Sequence, residues 1–347
     1  MPRVWEVPVH DSTRVRDARV AAENAAALAG LDEPRKAAAA LVATELATNL
    51  LKYAGGGRIL IEVVDPPTPS DGACLVQIAA IDHGPGMSDV AAALRDGFST
   101  TRSLGAGLGT CRRIADGFGL HSAPGRGTVA VARVGARPKD PAPVAAVRAG
   151  GVNVPFAGAE YSGDAWAWAC SGDRLTLMLA DGLGHGPAAA RASTTAVEAL
   201  HRAAHLPPAE ALVHLDTALR GTRGAAVAVA QVDTRGGLLR FAGVGNVGAR
   251  LREGDRWRSL VSRPGIVGVH RHATLREDRV PWAADRLLIL HSDGLPSRWT
   301  PPSDEDLLAA DPAVVAAVTV RDTSSSAWPV RDDTAVVVLA PTPLEGP

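Results

Sequence analysis

The sequence predicts an α+β protein of two units, an N-terminal α/β sandwich followed by a β-sandwich flanked by helices. Three observations carry that expectation. Helical patterns alternate with apolar strand-like runs up to about residue 135, an aperiodic segment with three prolines follows, and strand-like runs dominate the rest. At 347 residues the chain is also too long for one ordinary core.

In the first unit, strand-like WEVPV precedes helices expected over about 13–30 and 33–54. The strands RILIEVV and CLVQIAAID, a glycine-rich loop, a helix through TCRRIADGF and the strand TVAVARV complete it. That order predicts helices on one face of a mixed sheet. The segment GARPKDPAPVAAVRAGG sustains no period and reads as a linker, which places units at 1–135 and 151–340 with the linker at 136–150. In the second unit AWAWAC, RLTLMLAD, AAVAVAQVD, LLRFAGVG, RLLILHSDG and TAVVVLA predict two packed sheets, with flanking helices at about 186–203 and 209–219.

Lys plus Arg (36) nearly balances Asp plus Glu (37), for a net charge of -1, so no overall field draws the protein onto nucleic acid or an anionic membrane. No apolar run approaches the roughly 18 residues that span a bilayer, and the N-terminus carries charge where a signal peptide needs an apolar stretch. A cytoplasmic protein with protein or small-molecule partners is expected. The three cysteines, Cys74, Cys111 and Cys170, lack the spacing of a zinc site or a disulfide framework and read as reduced thiols.

The first chemical signal is ELATN, where Glu45 and Asn49 share one helix face at i and i+4. An amide oxygen suits Mg²⁺ shared with phosphate oxygens, and a nearby carboxylate suits proton abstraction from a hydroxyl. The same pair also fits a solvated Glu beside an Asn bonded to backbone. Three further motifs follow in order. DHGPG places Asp82 at a strand end, with Gly84 and Gly86 permitting close approach to a ligand; GAGLG puts Gly105, Gly107 and Gly109 before a helix; GRGT puts Thr128 at a strand start.

Together these four motifs resemble the boxes of the GHKL (Bergerat-fold, HATPase) superfamily, in its RsbT-type serine kinase branch. The resemblance implies Glu45 as general base, Asn49 as Mg²⁺ ligand, Asp82 as adenine reader, the Gly105–Gly109 loop as phosphate lid and Thr128 as a residue near the base. It implies ATP and Mg²⁺ as cofactors and STAS-domain proteins as substrates. Lys52, beside the first box, fits either a phosphate contact or a solvated helix end.

The second unit sets carboxylates at strand ends: Asp164 in SGDAW, Asp181 in LADGLGHG, Asp293 in LHSDGL, and Asp332 with Asp333 in RDDTAVVV. Singly, each Asp-Gly fits an ordinary turn. Converged, such carboxylates repel one another unless a cation is present, and oxygen-only ligands favour Mg²⁺ or Mn²⁺. The set resembles the metal motifs of PPM-type phosphatases of the SpoIIE-like branch, with an outline similar to RsbX. That resemblance implies two Mn²⁺ or Mg²⁺ ions, Asp181 bridging them, a Gly182 carbonyl, Asp293 and Asp332 on one ion, and Asp164 in the other's shell. Asp333 stays open as the alternative to Asp332. Eukaryotic members carry a histidine where Leu183 stands, and His185 fits either a turn support or a proton donor.

The combined expectation is a kinase and a metal-dependent phosphatase acting on STAS-domain antagonists in a sigma-factor partner-switching or stressosome-type pathway. The alternative is a phosphatase whose first unit docks nucleotide and gates it without phosphoryl transfer. A histidine-kinase fragment fits less well, because no helix with a phosphorylatable histidine precedes Glu45.

Overall fold

Three five-stranded sheets organise the chain, in a computed structural model that describes residues 4–65, 74–94, 107–136, 146–269, 275–324 and 330–342. The first sheet has the order β1 (Val4–Val9), β2 (Gly57–Val64), β3 (Leu75–Ile81), β5 (Gly127–Val134), β4 (Gly117–Ala123). All its pairings are antiparallel, where a mixed sheet was expected. Helices α1 (Ser12–Leu28) and α2 (Glu33–Asn49) cover one face. Both begin on an aspartate: Asp11 accepts the Thr13 N–H, and Asp32 accepts the Arg35 N–H. The short α3 (Val90–Ala93) and α4 (Leu108–Ile114) complete this half. The helix expected through TCRRIADGF stops at Ile114, because Gly117 opens a strand that pairs with β5 through Arg133.

The second half holds two sheets: β13 (Asp278–Pro281), β10 (Leu238–Val244), β9 (Ala225–Asp233), β8 (Arg174–Gly182), β7 (Asp164–Ser171); and β12 (Arg256–Leu260), β11 (Gly248–Glu253), β14 (Arg286–His291), β15 (Thr334–Pro341), β6 (Val147–Val154). Their inner faces meet in a core that includes Leu177, Leu179, Phe241, Leu288, Leu290 and Val337. Helices α5 (Pro187–Ala203) and α6 (Pro208–Ala218) cover the outer face of the first of these sheets, α7 (Glu305–Ala309) is a single turn, and α8 (Pro312–Thr323) covers the outer face of the second. The expected linker therefore ends early: Val147 to Gly150 are already β6, paired with β15.

The two halves share a core. Leu60, Ala79, Ile81, Val129 and Val131, on the face of the first sheet opposite α1 and α2, join α8 and residues of β6, β14 and β15 in one apolar cluster. Alternation explains how one sheet serves two cores: Ile59, Ile61, Ile78 and Ala80 point to the helices, while their neighbours point to α8. Every residue from Pro312 to Arg321 is buried, so α8 lacks a solvent face.

At one end of this interface the sheet changes character. Glu62 pairs with Gln77 across β2 and β3, and Gln77 with Arg133 across β3 and β5, making a polar row on the buried face. Arg133 donates to both oxygens of Asp311, at 2.7 and 2.8 Å, and to Gln77 Oε1 at 3.1 Å. The Gln77 side chain donates to the Gly151 carbonyl at 2.8 Å. Glu62, 5 % exposed, accepts from the Asn153 N–H at 2.9 Å and the Trp166 indole N–H at 3.1 Å. Burial pushes its carboxyl up to about 7, against those two hydrogen bonds and Arg133.

Two outcomes follow from this packing. Calorimetry should show one cooperative transition for the whole chain, and Leu60→Ala should lower that single transition by about 2–5 kcal/mol, the ordinary cost of a buried leucine. Because the folded state holds an extra proton on Glu62 between about pH 4.5 and about 7, its contribution to stability is present below that window and lost above it. The unfolding free energy of Glu62→Gln relative to wild type should therefore rise by about 3 kcal/mol between pH 4.5 and 8, measured by urea denaturation.

Candidate functional site

Glu45 and Asn49 lie on the half-buried face of α2, whose last turn passes into a π-helical segment, Leu50–Ala54, ended by Gly55 in the left-handed region. Burial raises the Glu45 carboxyl above its ordinary range, and Lys52, exposed on the next turn, partly offsets this. The same carboxylate helps burial push the Cys111 thiol of α4 up to about 12, which places α4 beside Glu45. The Asn49 side-chain nitrogen is buried without a hydrogen-bond partner. Such a group is costly unless something else engages it.

Asp82 follows β3 and is 6 % exposed; its Oδ1 accepts the Gly84 N–H at 2.8 Å and the Thr128 N–H at 3.0 Å. One oxygen thus ties DHGPG to GRGT. Burial still raises its carboxyl above the usual value. Gly86, at φ +68°, passes so close to β4 that a Cβ would meet the Ala123 carbonyl at 2.0 Å. Thr128 Oγ1 lies 2.9 Å from Ser122 Oγ, and Ser122 also accepts the Met87 N–H at 2.8 Å. Gly107 caps α4 and Gly109 lies within its first turn; Gly105 falls outside the described residues. Sequence reasoning missed Ser122 and also His83, whose Nε2 lies 3.0 Å from both the Arg321 and Ser324 carbonyl oxygens at the end of α8. Two acceptors require Nε2 to carry the proton.

The second site forms where the two sheets of the C-terminal half meet. Asp164 opens β7 directly opposite Asp181 near the end of β8. Asp293 follows β14 and Asp332 precedes β15, which pairs antiparallel with β14. Asp181, Asp293 and Asp332 line a cavity of about 670 Å³ together with His185 and Asn246. Asp164 is 1 % exposed; its Oδ2 has no hydrogen-bond partner, while Ser292 hydrogen-bonds the carboxylate. Burial, then the Asp181 charge, drive the Asp164 carboxyl far up. Burial, then Asp293, Asp332 and Asp333, push Asp181 to about 7. Gly182 leaves no room for a side chain, since a Cβ would meet the Ala189 carbonyl at 2.2 Å.

Asp332 and Asp333 have separate surroundings. Asp333 is buried, and its two oxygens accept the Phe156 and Gly163 N–H groups at 2.7 Å each, whereas Asp332 faces the cavity. Asn246, bonded to Asp293, and Ser292 were missed in the sequence, where nothing but a polar residue at a strand end marks them.

Among the described residues no three carboxylate, imidazole or thiol groups are drawn together tightly enough to close a metal shell. The donor set nevertheless fits hard divalent cations: mutually repelling carboxylates, one oxygen buried and unpartnered, and oxygen ligands throughout.

An α/β sandwich packed against a helix-flanked β-sandwich is the class that this fold defines. Residues 9–133 match the family model described as a histidine kinase-like ATPase domain, and residues 171–341 match that of stage II sporulation protein E (SpoIIE). The two matches divide the chain into a part similar to histidine kinase-like ATPase domains and a part similar to SpoIIE. The chain is 45% identical over 85 residues to the serine/threonine-protein kinase RsbT of Bacillus subtilis (strain 168), covering 24% of this chain and 61% of that relative's length. Among solved structures, one described under "The bacterial stressosome: a modular system that has been adapted to control secondary messenger signaling" is similar at 29% identity and TM-score 0.49, over 56% of this chain and 98% of that one. The SpoIIE phosphatase domain with a fragment of its regulatory domain, from Bacillus subtilis, is similar at 17% identity and TM-score 0.49, over 97% of this chain and 98% of that one. Among the described residues no helix is long and apolar enough to cross a membrane.

Asn49→Ala should leave folding stability within about 1 kcal/mol of wild type, since it deletes a buried donor without a partner. Titration calorimetry should find ATP–Mg²⁺ affinity reduced by more than about tenfold. Unchanged affinity would take Asn49 out of the nucleotide site.

Proposed function

We propose that the protein writes and erases a phosphate on serine or threonine of a STAS-domain partner, within a sigma-factor or stressosome-type partner switch in the cytoplasm. In this reading residues 1–135 are the kinase and residues 151–340 the phosphatase. The observation that carries it is the coexistence in one chain of a half-buried Glu45 near an Asn49 whose side-chain nitrogen lacks a partner, and of three carboxylates lining one cavity with a fourth, Asp164, buried opposite Asp181. The similarity to RsbT supports the first half, and the SpoIIE match supports the second.

In the kinase step, Glu45 takes the proton of the partner's hydroxyl as its oxygen bonds the γ-phosphorus and the bond to the ADP oxygen breaks. Its raised carboxyl suits it as a base. The Asn49 oxygen would hold Mg²⁺, Asp82 would accept from the adenine amino group, and the Gly105–Gly109 segment with the start of α4 would face the phosphates. In the phosphatase step, water attacks phosphorus and the bond to the serine oxygen breaks. Mn²⁺ or Mg²⁺ supplies a water of lowered pKa and neutralises phosphate charge when bound. Asp181, Asp293 and Asp332, the Gly182 carbonyl, and Asp164 behind them would hold two such ions. Asp333 in this reading is the clamp that fixes the backbone at Phe156 and Gly163.

One observation favours a second reading, in which the first half gates the phosphatase without transferring phosphate. His83, next to Asp82, grips the end of α8, so a nucleotide bound at Asp82 sits one residue from the second half.

The test uses wild type, Glu45→Ala, Asp181→Ala and His83→Ala with a STAS protein encoded beside the gene, following substrate phosphate by intact mass. Phosphate that accumulates with Asp181→Ala, stays low with wild type and is absent with Glu45→Ala supports both activities. If every variant fails to phosphorylate, yet wild type strips a pre-phosphorylated partner at a rate that ADP changes and His83→Ala does not follow, gating is the better account.

A further inference from the structure

Asp164 is held by a chain of hydrogen bonds that begins in the other half of the molecule. Its carbonyl accepts from the Asn153 side chain at 2.7 Å, and its N–H donates to Ser162 Oγ at 3.1 Å. Ser162 in turn donates to Asn153 Oδ1 at 2.8 Å. One amide therefore closes both sides of the turn that carries the carboxylate. Asn153 lies on β6, the edge strand of its sheet, and its backbone N–H points away from β15 to Glu62 Oε1. The second Glu62 oxygen takes the indole N–H of Trp166, two residues beyond Asp164 on β7, the edge strand of the other sheet. A single carboxylate from β2 thus bridges the free edges of both sheets at their junction. Glu62, Asn153, Ser162 and Asp164 are exposed by 5, 2, 1 and 1 %, so water does not compete for these bonds.

We infer that Glu62, contributed by the N-terminal sheet, is a positioning residue for the phosphatase metal site, holding Asp164 in place through Asn153 and Trp166. The inference rests on the metal-dependent phosphatase reading. Groups that orient a metal ligand typically govern affinity by 10- to 100-fold without touching the ion, because a carboxylate displaced by a fraction of an ångström loses ligation before it loses its fold. Glu62 is well placed for that role: without it, the Asn153 N–H is a buried donor without a partner, and the end of β6 that holds the Asp164 turn loses one of its ties to the first sheet.

The test uses the full chain free of nucleotide, so that the Asn49 site carries no phosphate-bound ion. Wild type, Glu62→Gln, Glu62→Ala and Trp166→Phe are compared for direct Mn²⁺ binding, by electron paramagnetic resonance of the free ion, and for hydrolysis of p-nitrophenyl phosphate. Glu62→Ala is expected to weaken Mn²⁺ binding by at least about tenfold, with kcat at saturating Mn²⁺ within about twofold of wild type. Glu62→Gln should fall between, since its amide oxygen still accepts the Asn153 N–H while the bond to Trp166 is lost. A Glu62→Ala isotherm that superimposes on wild type, or a loss of kcat at unchanged Mn²⁺ affinity, overturns the inference. Should Glu62→Ala not fold by circular dichroism, Glu62→Gln and Trp166→Phe decide, and isotherms of both that match wild type overturn it. Absence of Mn²⁺ uptake by wild type itself overturns the phosphatase reading and this inference with it.

Discussion

A five-stranded sheet buried on both faces is the constraint on which the rest of this molecule depends. One face receives α1 and α2; the other receives α8, a helix whose residues from Pro312 to Arg321 are all covered. Separating the halves would expose both that helix and the alternate residues of β2, β3 and β5, a contiguous apolar surface far beyond what a soluble domain usually shows to water. The DHGPG and GRGT motifs and the carboxylate cluster are thereby parts of one block. His83 touches the end of α8, and Glu62 touches β7, which carries Asp164, and β6 beside it.

The polar row Glu62, Gln77 and Arg133 shows how such an interface stays specific. An apolar face alone would tolerate sliding, whereas each of these groups is desolvated and needs one particular partner: Asn153 and Trp166, the Gly151 carbonyl, and Asp311. Two of those partners lie on the free edge of β6, so the row also covers an edge strand that would otherwise present unpaired backbone groups.

The two candidate sites store charge in different ways. Asp82 is buried but engaged by two backbone N–H groups, which fix it as an acceptor aimed at one side. Asp164 and Asp181 face each other across a strand pair with further carboxylates nearby, and their raised pKa values express burial first and mutual repulsion second, the second of which a cation would relieve. One arrangement suits reading a neutral heterocycle, the other holding a divalent ion.

Local sequence determined much of this. Helical and strand-like apolar patterns, glycines at tight turns, and short motifs that carry their chemistry within a few residues made α1, α2, most strands and the acidic strand ends legible in the chain alone. The apolar runs in RILIEVV and AAVAVAQVD, each interrupted by one polar residue, marked strands, though not what lay on either face. Tertiary structure decided what depends on distant partners. It made AVVAAVTV a helix without a polar side, turned GFGLHSA into a strand by pairing it with β5, and separated Asp332 from Asp333 by turning one to the cavity and the other to the backbone. It also gave Glu62 and Asn153 their meaning. In sequence each is a polar residue among small and apolar ones, 91 positions apart, and only the packing of two sheets brings a carboxylate to an unpaired edge N–H.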